Sequence, residues 1–281
     1  MNVLLRPAPT GEVGVTPAQA GWRYLSFRAR RLNPGEELRL AAGPRELAVV
    51  LLSGTMSVTA GSDRWTCAGR SDVWERVPPW AVLVPPYCEA RVAAVTHAHV
   101  ALVEAPAERG FGPRVIRPDE VVIEERGAGN TARTIHHILP PSVPAARLIL
   151  VEVYTPGGNW SSFPPHKHDT EEPPHEAYLE EVYYYQIHPS TGFALQRVYT
   201  PDGSLDASVA VRDGDLVCVP RGYHPVAATP GFDCYYLNAM AGHRRAWNFR
   251  VDPVYAHLMN WQKPEVAQET RMAGEARGDS A

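Results

Sequence analysis

The fold is decided by three short stretches in the second half of the chain: FPPHKHD (163–169), EVYYYQ (181–186) and GDLVCVPRGYH (214–224). Residues i and i+2 of a strand project to the same face, so His166 and His168 point one way and the lysine between them points the other way. The last stretch combines a short apolar strand with a Pro-x-Gly turn that ends at a histidine. These patterns predict a β structure with a polar site on one face.

A metal site is the interpretation that these residues favour. Glu181 begins a strand whose same-face set continues with Tyr183 and Tyr185, and His224 ends the Pro-x-Gly turn. With the two histidines of residues 163–169, they supply three imidazoles and one carboxylate, a donor set that suits a divalent ion. Zinc is the first choice, with manganese, iron and nickel as alternatives. Four other acids compete with Glu181 by proximity alone: Glu171, Glu172, Glu176 and Glu180.

Short strand-like runs recur along the whole chain and are bounded by Gly, Pro or Ser. They include residues 47–52, 81–84, 100–103, 148–153 and 216–219. The 27 prolines and 22 glycines are scattered as turn residues among these runs. We therefore expect an all-β fold, with a helix only in the polar tail.

The two halves of the chain also resemble each other. Three pairs of anchors match: Pro34 with Pro156, Glu46 with Glu181, and Pro85 with Pro220. The first pair is offset by 122 residues and the other two pairs by 135, so the second half contains one insertion. It lies at residues 169–180, where the composition predicts a loop. Two copies of one β unit explain both offsets.

The repeat predicts two barrels and a tail. We expect an N-terminal barrel at residues 1–112, a metal-binding barrel at 113–256 and a tail at 257–281. The first half lacks the ligand set, because Cys88 takes the place of His224 and no His-x-His pair precedes Glu46.

Other histidines are weaker candidates. His97 and His99 have the correct strand spacing, but no Glu-led strand or Pro-x-Gly-x-His follows them. A packed or solvent-facing strand edge is the better interpretation. His136 and His137 are neighbours and face opposite ways in a strand, so structural roles are expected for both.

Composition excludes several classes of protein. The formal net charge of −4 and the absence of a dense Lys/Arg run argue against nucleic-acid binding. The four cysteines lie apart, which argues against a zinc ribbon and a disulfide framework. No apolar run approaches the ~18 residues of a membrane span. The expectation is a reduced, cytoplasmic protein without membrane contact.

The motifs resemble those of the cupins, a family of jelly-roll barrels. Their first motif pairs His-x-His with a downstream Glu, and their second runs Gly, five residues, Pro-x-Gly and His. Here the second motif uses Gly214, Pro220, Gly222 and His224. This chain departs from the pattern in its long gap before Glu181 and in the single residue between Gly222 and His224. The resemblance implies a bicupin of two double-stranded β-helix barrels.

Longer stretches are similar to the 5-deoxy-glucuronate isomerases of inositol degradation. These stretches are residues 125–130, 163–169, 178–185, 192–199, 219–225 and 236–242, and the similarity spans about residues 1–255. The ketodeoxyuronate isomerases of pectin breakdown lack the long insertion, so the inositol branch is favoured. The resemblance implies conversion of 5-deoxy-glucuronate to 5-dehydro-2-deoxy-gluconate with a divalent metal and without a redox cofactor.

That reaction suggests roles for four further residues and a uronate sugar as the partner molecule. Tyr183 and Tyr185 are candidates for contacting the reacting hydroxyls, with an aromatic barrel core as the alternative. Arg197 and Arg245 are candidates for binding the uronate carboxylate, with surface or interface positions as the alternative. A homo-oligomer is compatible with the sequence.

Two other functions share the same four ligands. An iron-dependent cupin dioxygenase would consume oxygen. A non-enzymatic sugar-binding cupin would bind sugar after chelation and show no turnover. The complete ligand set and the lack of a basic helix-turn-helix segment argue against the second of these.

Overall fold

The computed structural model describes residues 3–41, 43–108 and 111–262. Strands dominate these residues, and the all-β prediction is confirmed. The helical elements within them are α1 (Pro17–Ala20) and the 3₁₀ segments η1 (Val73–Glu75), η2 (Pro118–Glu120), η3 (Gly129–Thr131) and η4 (Pro253–Gln262). Of the predicted tail, residues 263–281 lie outside the described residues.

The N-terminal half forms two packed sheets. Its strands are β1 (Leu4–Leu5), β2 (Val13–Val15), β3 (Ser26–Leu32), β4 (Glu37–Leu40), β5 (Arg45–Ser53), β6 (Thr55–Ala60), β7 (Asp63–Ala68), β8 (Ala81–Val84), β9 (Ala90–Ala94) and β10 (Ala98–Pro106). The first strand of the following half, β11 (Arg114–Ile116), joins the larger of these sheets. A six-stranded sheet has the order β11-β8-β5-β10-β3-β2, and a four-stranded sheet has the order β4-β9-β6-β7.

The C-terminal half repeats this plan. Its strands are β12 (Val122–Arg126), β13 (Arg133–Leu139), β14 (Ile149–Thr155), β15 (Trp160–Ser161), β16 (His166–Lys167), β17 (Leu179–His188), β18 (Ala194–Tyr199), β19 (Asp206–Val211), β20 (Leu216–Val219), β21 (Val226–Ala228), β22 (Asp233–Gly242) and β23 (Arg250–Val251). The larger sheet has the order β1-β20-β17-β22-β14-β13-β12, and the smaller has the order β15-β21-β18-β19. Strand for strand, β8-β5-β10-β3 corresponds to β20-β17-β22-β14. The additional strand β16 pairs with β23 beside these sheets.

Each half lends its first strand to the other half. Strand β1 pairs with β20 of the C-terminal barrel, and β11 pairs with β8 of the N-terminal barrel. The domain boundary between residues 112 and 113 remains a prediction. The two exchanged strands link the sheets of the two barrels.

Strand alternation divides most of the apolar side chains among three large cores. On β17, Val182 and Tyr184 join a core shared by the two large sheets, while Tyr183 and Tyr185 point into the C-terminal barrel. On β5, even-numbered residues such as Val50 likewise join the shared core, and odd-numbered residues fill the N-terminal barrel. The two barrels therefore pack through their large sheets and keep separate interiors.

Two buried glutamates mark the true register of the repeat. The Glu46 carboxylate accepts hydrogen bonds from the backbone N–H groups of residues 146–148, at 2.7, 2.5 and 2.8 Å. The Glu180 carboxylate accepts three from the backbone N–H groups of residues 23–25, at 2.7, 2.8 and 2.8 Å. Glu46 thus corresponds to Glu180, and the sequence alignment of Glu46 with Glu181 was wrong by one residue. Two adjacent glutamates made the match ambiguous.

Candidate metal centre

Three side chains converge inside the C-terminal barrel. Ligand atoms of His168, Glu181 and His224 all lie within 4.8 Å of one another, and all three residues are buried. His168 Nε2 lies 3.0 Å and His224 Nε2 lies 2.9 Å from the same carboxylate oxygen, Glu181 Oε2. The first two ligands come from segments separated by the insertion, and the third comes from the turn after β20. These residues form a candidate metal site.

Backbone carbonyls orient the histidines of this site. His168 Nδ1 lies 3.0 Å from the Leu179 carbonyl, and His224 Nδ1 lies 2.8 Å from the Gly222 carbonyl. A carbonyl oxygen only accepts, so each Nδ1 is the donor in its contact and each Nε2 faces the Glu181 carboxylate. His224 Nε2 is buried, and its 2.9 Å contact with Glu181 Oε2 lacks hydrogen-bond geometry. Histidine ligands of metals are held in this way, so the residues suit a divalent ion.

His166 lies beside this group. Its ring centroid is 4.9 Å from that of His224 and 6.3 Å from that of His168. Its Nδ1 lies 3.2 Å from the Pro164 carbonyl, and its ring packs 4.6 Å from the Phe249 ring. Enclosure by protein, aided by the neighbouring imidazoles, lowers the pKa of His166 to about 3, so the ring is neutral near pH 7.

Glu181 is held as a carboxylate. Burial raises its pKa, but the imidazoles of His224 and His168 outweigh this effect and hold the pKa of Glu181 well below its usual range. Its other oxygen, Oε1, accepts a hydrogen bond of 2.5 Å from Asn238 Nδ2 on the neighbouring strand β22. Glu180, the adjacent residue, points out of the barrel into its contact with residues 23–25.

The insertion braces both ligand-bearing segments. Lys167 points away from the ligands, and its ammonium contacts Asp169 at 2.6 Å and Glu176 at 2.9 Å. The Glu176 carboxylate is buried and also accepts from the backbone N–H of Asp169 at 2.8 Å. Asp169 Oδ2 in turn accepts from the Gly222 N–H at 2.7 Å. The insertion therefore connects the His-x-His strand to the turn that carries His224.

A pocket opens beside the histidines. Tyr183 lines it, and its hydroxyl shares a hydrogen bond of 2.9 Å with Ser162. Burial raises the pKa of Tyr183 well above its usual range, so the phenol remains protonated. Tyr185 lies deeper in the barrel, where its hydroxyl donates to Gln196 at 2.8 Å. Tyr183 is placed to touch a bound molecule, whereas Tyr185 belongs to the barrel core.

The two arginines predicted to bind a carboxylate lie elsewhere. Arg197 is exposed on the barrel exterior and forms a bidentate ion pair with Asp206 at 2.8 and 2.8 Å. The alternation of β18 puts it on the face opposite Gln196. Arg245 donates to backbone carbonyls of residues 139–148, which fastens that loop. These positions favour the alternative, a surface role for Arg197 and a structural role for Arg245, over the predicted substrate-binding role.

Two other arginines line the pocket. Arg126 and Arg133 lie opposite each other in the β12–β13 ladder, and both reach the pocket wall. Sequence reasoning missed them, although Arg126 lies within the family-like stretch 125–130. The alternation of Arg133 with Ile135, a residue of the barrel interior, was the available signal.

The remaining histidines have structural positions. His97 is exposed, and His99 is buried with its Nε2 3.0 Å from the Tyr184 hydroxyl. His136 contacts Glu152 at 2.7 Å, and His137 contacts Glu124 at 2.8 Å on the other face. Neither pair forms a metal site among the described residues.

Comparison with known proteins gives the family. A family model described as the KduI/IolB family matches residues 4–258. The chain belongs to the KduI/IolB family. It is 50% identical over 248 residues to the 5-deoxy-glucuronate isomerase of Geobacillus thermodenitrificans, covering 88% of this chain and 90% of that protein. It is 38% identical to the protein of the same name from Bacillus subtilis, covering 92% of this chain and 99% of the relative. The prediction of an isomerase of this family is confirmed.

Solved structures give the same result for the fold. An IolB-like protein from Salmonella typhimurium superposes with a TM-score of 0.90 at 43% identity, covering 92% of this chain and 99% of the other. Oxalate decarboxylase from Lactobacillus farciminis superposes with a TM-score of 0.65 at 11% identity, which shows the shared fold alone. No helix in the described residues has the length and apolar character needed to cross a membrane.

Proposed function

We propose that this protein converts 5-deoxy-glucuronate to 5-dehydro-2-deoxy-gluconate in inositol degradation, using one divalent metal ion, with zinc as the first choice. The main support for this proposal is that His168, Glu181 and His224 converge in a chain of the KduI/IolB family. The names of the relatives support the substrate.

The donor set supports a metal held by His168, Glu181 and His224, with His166 as the fourth ligand. When bound, a divalent ion would supply Lewis acidity toward a carbonyl oxygen of the sugar. The carbonyl contacts of the three histidines hold each Nδ1 as a donor, so a metal would be bound through Nε2.

The pocket residues support an aldose–ketose isomerisation, which moves hydrogen from C2 to C1 of the sugar. The protonated Tyr183 hydroxyl, fixed by Ser162, can hydrogen-bond a sugar oxygen at the pocket wall. The surrounding apolar lining, including Phe249 and Trp247, limits water around the reacting carbons.

The test is an anaerobic assay with 5-deoxy-glucuronate, in which ketose formation is followed with and without a chelator. We expect turnover without oxygen, loss of turnover on chelation and recovery when zinc is returned. Oxygen-dependent product formation would support a dioxygenase instead. Sugar affinity that survives chelation without any turnover would support a binding protein.

His166 can be tested separately by measuring bound metal in His166→Ala. A fall in metal affinity is expected for a ligand. Full metal affinity with lost turnover would instead assign His166 to proton transfer at the substrate.

A further inference from the structure

The pocket beside the histidines contains a buried cation without a counter-ion. Arg133 is 5% exposed, and its guanidinium donates to the carbonyls of Thr131 at 2.8 Å and Phe163 at 3.1 Å. It forms no ion pair with a carboxylate in the described part of the chain. Burial lowers the pKa of Arg133 to about 10, which still leaves it charged near pH 7.

Another buried arginine, Arg70, has the carboxylate partner that Arg133 lacks in the described residues. Arg70, 4% exposed, makes a bidentate ion pair with the buried Glu152 at 2.8 and 2.7 Å. Burying an uncompensated charge is costly, so buried arginines normally have such a partner. In the described residues Arg133 has hydrogen bonds to two carbonyls and a more distant attraction to Glu124, which is paired with Arg126, but no carboxylate in direct contact, and its side chain lines the pocket.

The neighbouring arginine is already neutralised. Arg126 lies opposite Arg133 in the ladder, but its guanidinium is bound by the Glu124 carboxylate at 2.7 and 2.8 Å. Arg126 therefore adds little net positive charge to the pocket wall, while Arg133 retains the capacity to bind an anion.

We propose that Arg133 binds the carboxylate of the uronate substrate and is the residue that selects a uronate over a neutral aldose. A guanidinium carries five N–H groups, and two are used by Thr131 and Phe163, which leaves donors for a carboxylate. Glu181 and His166 line the same pocket, so a sugar held at one end by Arg133 meets the candidate metal ligands with its other functional groups. This inference rests on the proposed function for the identity of the ligand.

The test compares binding of D-glucuronate with binding of D-glucuronamide, its neutral isostere, by calorimetry on the metal-loaded protein. Wild type is expected to prefer glucuronate by about 10- to 100-fold, the range of charge-assisted hydrogen bonds. Arg133→Met should abolish the preference. Arg197→Met, which removes an exposed guanidinium of the same size, should retain it. Retention of the preference in Arg133→Met would overturn the proposal.

A conservative variant covers the case in which Arg133→Met does not fold. Arg133→Lys keeps the charge but loses the planar fork, and we expect its affinity for glucuronate to fall about tenfold. Its unfolding temperature and metal content should match those of wild type. Unchanged glucuronate affinity in Arg133→Lys would also contradict the subsite.

The two proposals fail in different ways. A carboxylate preference that depends on Arg133, without turnover of 5-deoxy-glucuronate, would remove the proposed reaction and leave the subsite. Turnover with a preference unaffected in both Arg133 variants would remove the subsite and leave the reaction.

Discussion

The two barrels have the same strand order but opposite interiors. Where the C-terminal barrel has Glu181 opposite Val219, the N-terminal barrel has Leu47 opposite Val84. Leu47 belongs to an apolar core, whereas Glu181 belongs to a cluster of polar groups. The comparison shows that the fold does not need the site, since the N-terminal copy forms the same sheets around apolar side chains.

The polar interior is tolerated because most of the polar groups around the site have partners, whereas Thr155 Oγ1, Ser161 Oγ and His224 Nε2 are buried without a hydrogen bond in the described residues. Asn238 and the imidazoles surround the Glu181 carboxylate, and backbone carbonyls accept from each Nδ1. Buried polar groups without partners would destabilise the barrel. The insertion adds a brace that the N-terminal copy lacks, which concentrates the chemistry in one half.

The largest effect is expected from Glu181→Gln. It removes the only carboxylate among the three converging ligands in the described residues, and the loss of Lewis-acid catalysis is worth several kcal/mol. Turnover should fall by at least about a thousandfold, since each ~1.4 kcal/mol is a factor of ten. Steady-state kinetics at saturating zinc would measure it.

The matched change in the other barrel is Leu47→Ala. It should cost ~2–5 kcal/mol of unfolding free energy while leaving kcat unchanged. A comparable loss of turnover in both variants would mean that the barrels are not functionally distinct.

A change in the Lys167–Asp169–Gly222 contacts of the insertion should have the next largest effect. Asp169→Asn weakens the link from Lys167 to the Gly222 N–H, and we expect zinc affinity to fall by about 10-fold, at the low end of the range for groups that orient metal ligands. Competition with a fluorescent chelator would measure this affinity.

Glu172→Gln controls for the charge. Glu172 lies in the same insertion but pairs with the exposed Arg250. Equal losses of affinity in Asp169→Asn and Glu172→Gln would show that charge, rather than bracing, sets the affinity.

The two corresponding glutamates should behave alike. Glu46→Gln and Glu180→Gln each weaken three buried hydrogen bonds to backbone N–H groups, so each should lower the free energy of unfolding by ~1–3 kcal/mol. Urea denaturation at saturating zinc would measure both. Loss of zinc binding in Glu180→Gln would show that Glu180, rather than Glu181, faces the site.

The smallest effect concerns His99, which contacts the C-terminal half through Tyr184. Burial, with a contribution from Arg31, lowers the pKa of His99 from 6.5 to about 3. The folded chain thus keeps this ring neutral while the unfolded chain takes up a proton below pH 6.5, so stability is lost as the pH falls. At pH 5.5 the loss should be ~1.4 kcal/mol. Denaturation curves of wild type and His99→Gln should therefore converge as the pH falls; an unchanged difference would contradict this origin.

Sequence reasoning recovered what depends on local spacing. The His-x-His pair and the Pro-x-Gly-x-His turn are short motifs, so they could be located without the fold, and the internal repeat predicted two barrels. The insertion was also visible as a change of offset. Its bracing role was not, because it depends on Glu176 folding back onto Lys167.

The positions of the arginines depend on strand register and loop structure, and the sequence did not predict them. Arg197 and Arg245 lie in family-like or nearby stretches, but their orientation is set by β18 and by the loop at residues 139–148. Arg133 gave no motif of its own, and its position in the pocket follows from the pairing of β12 with β13. Sequence spacing alone does not show which side chains such a strand pairing places next to each other.

Metal stoichiometry tests the central claim most directly. Chelator-stripped wild type and the variant His168→Ala/Glu181→Gln/His224→Ala would be dialysed against zinc, and the bound metal measured per chain. We predict about one ion for wild type and a site lost in the variant, since removing three donors leaves no closed coordination shell. About one tightly bound ion in both proteins would contradict the assignment of the site to the C-terminal barrel.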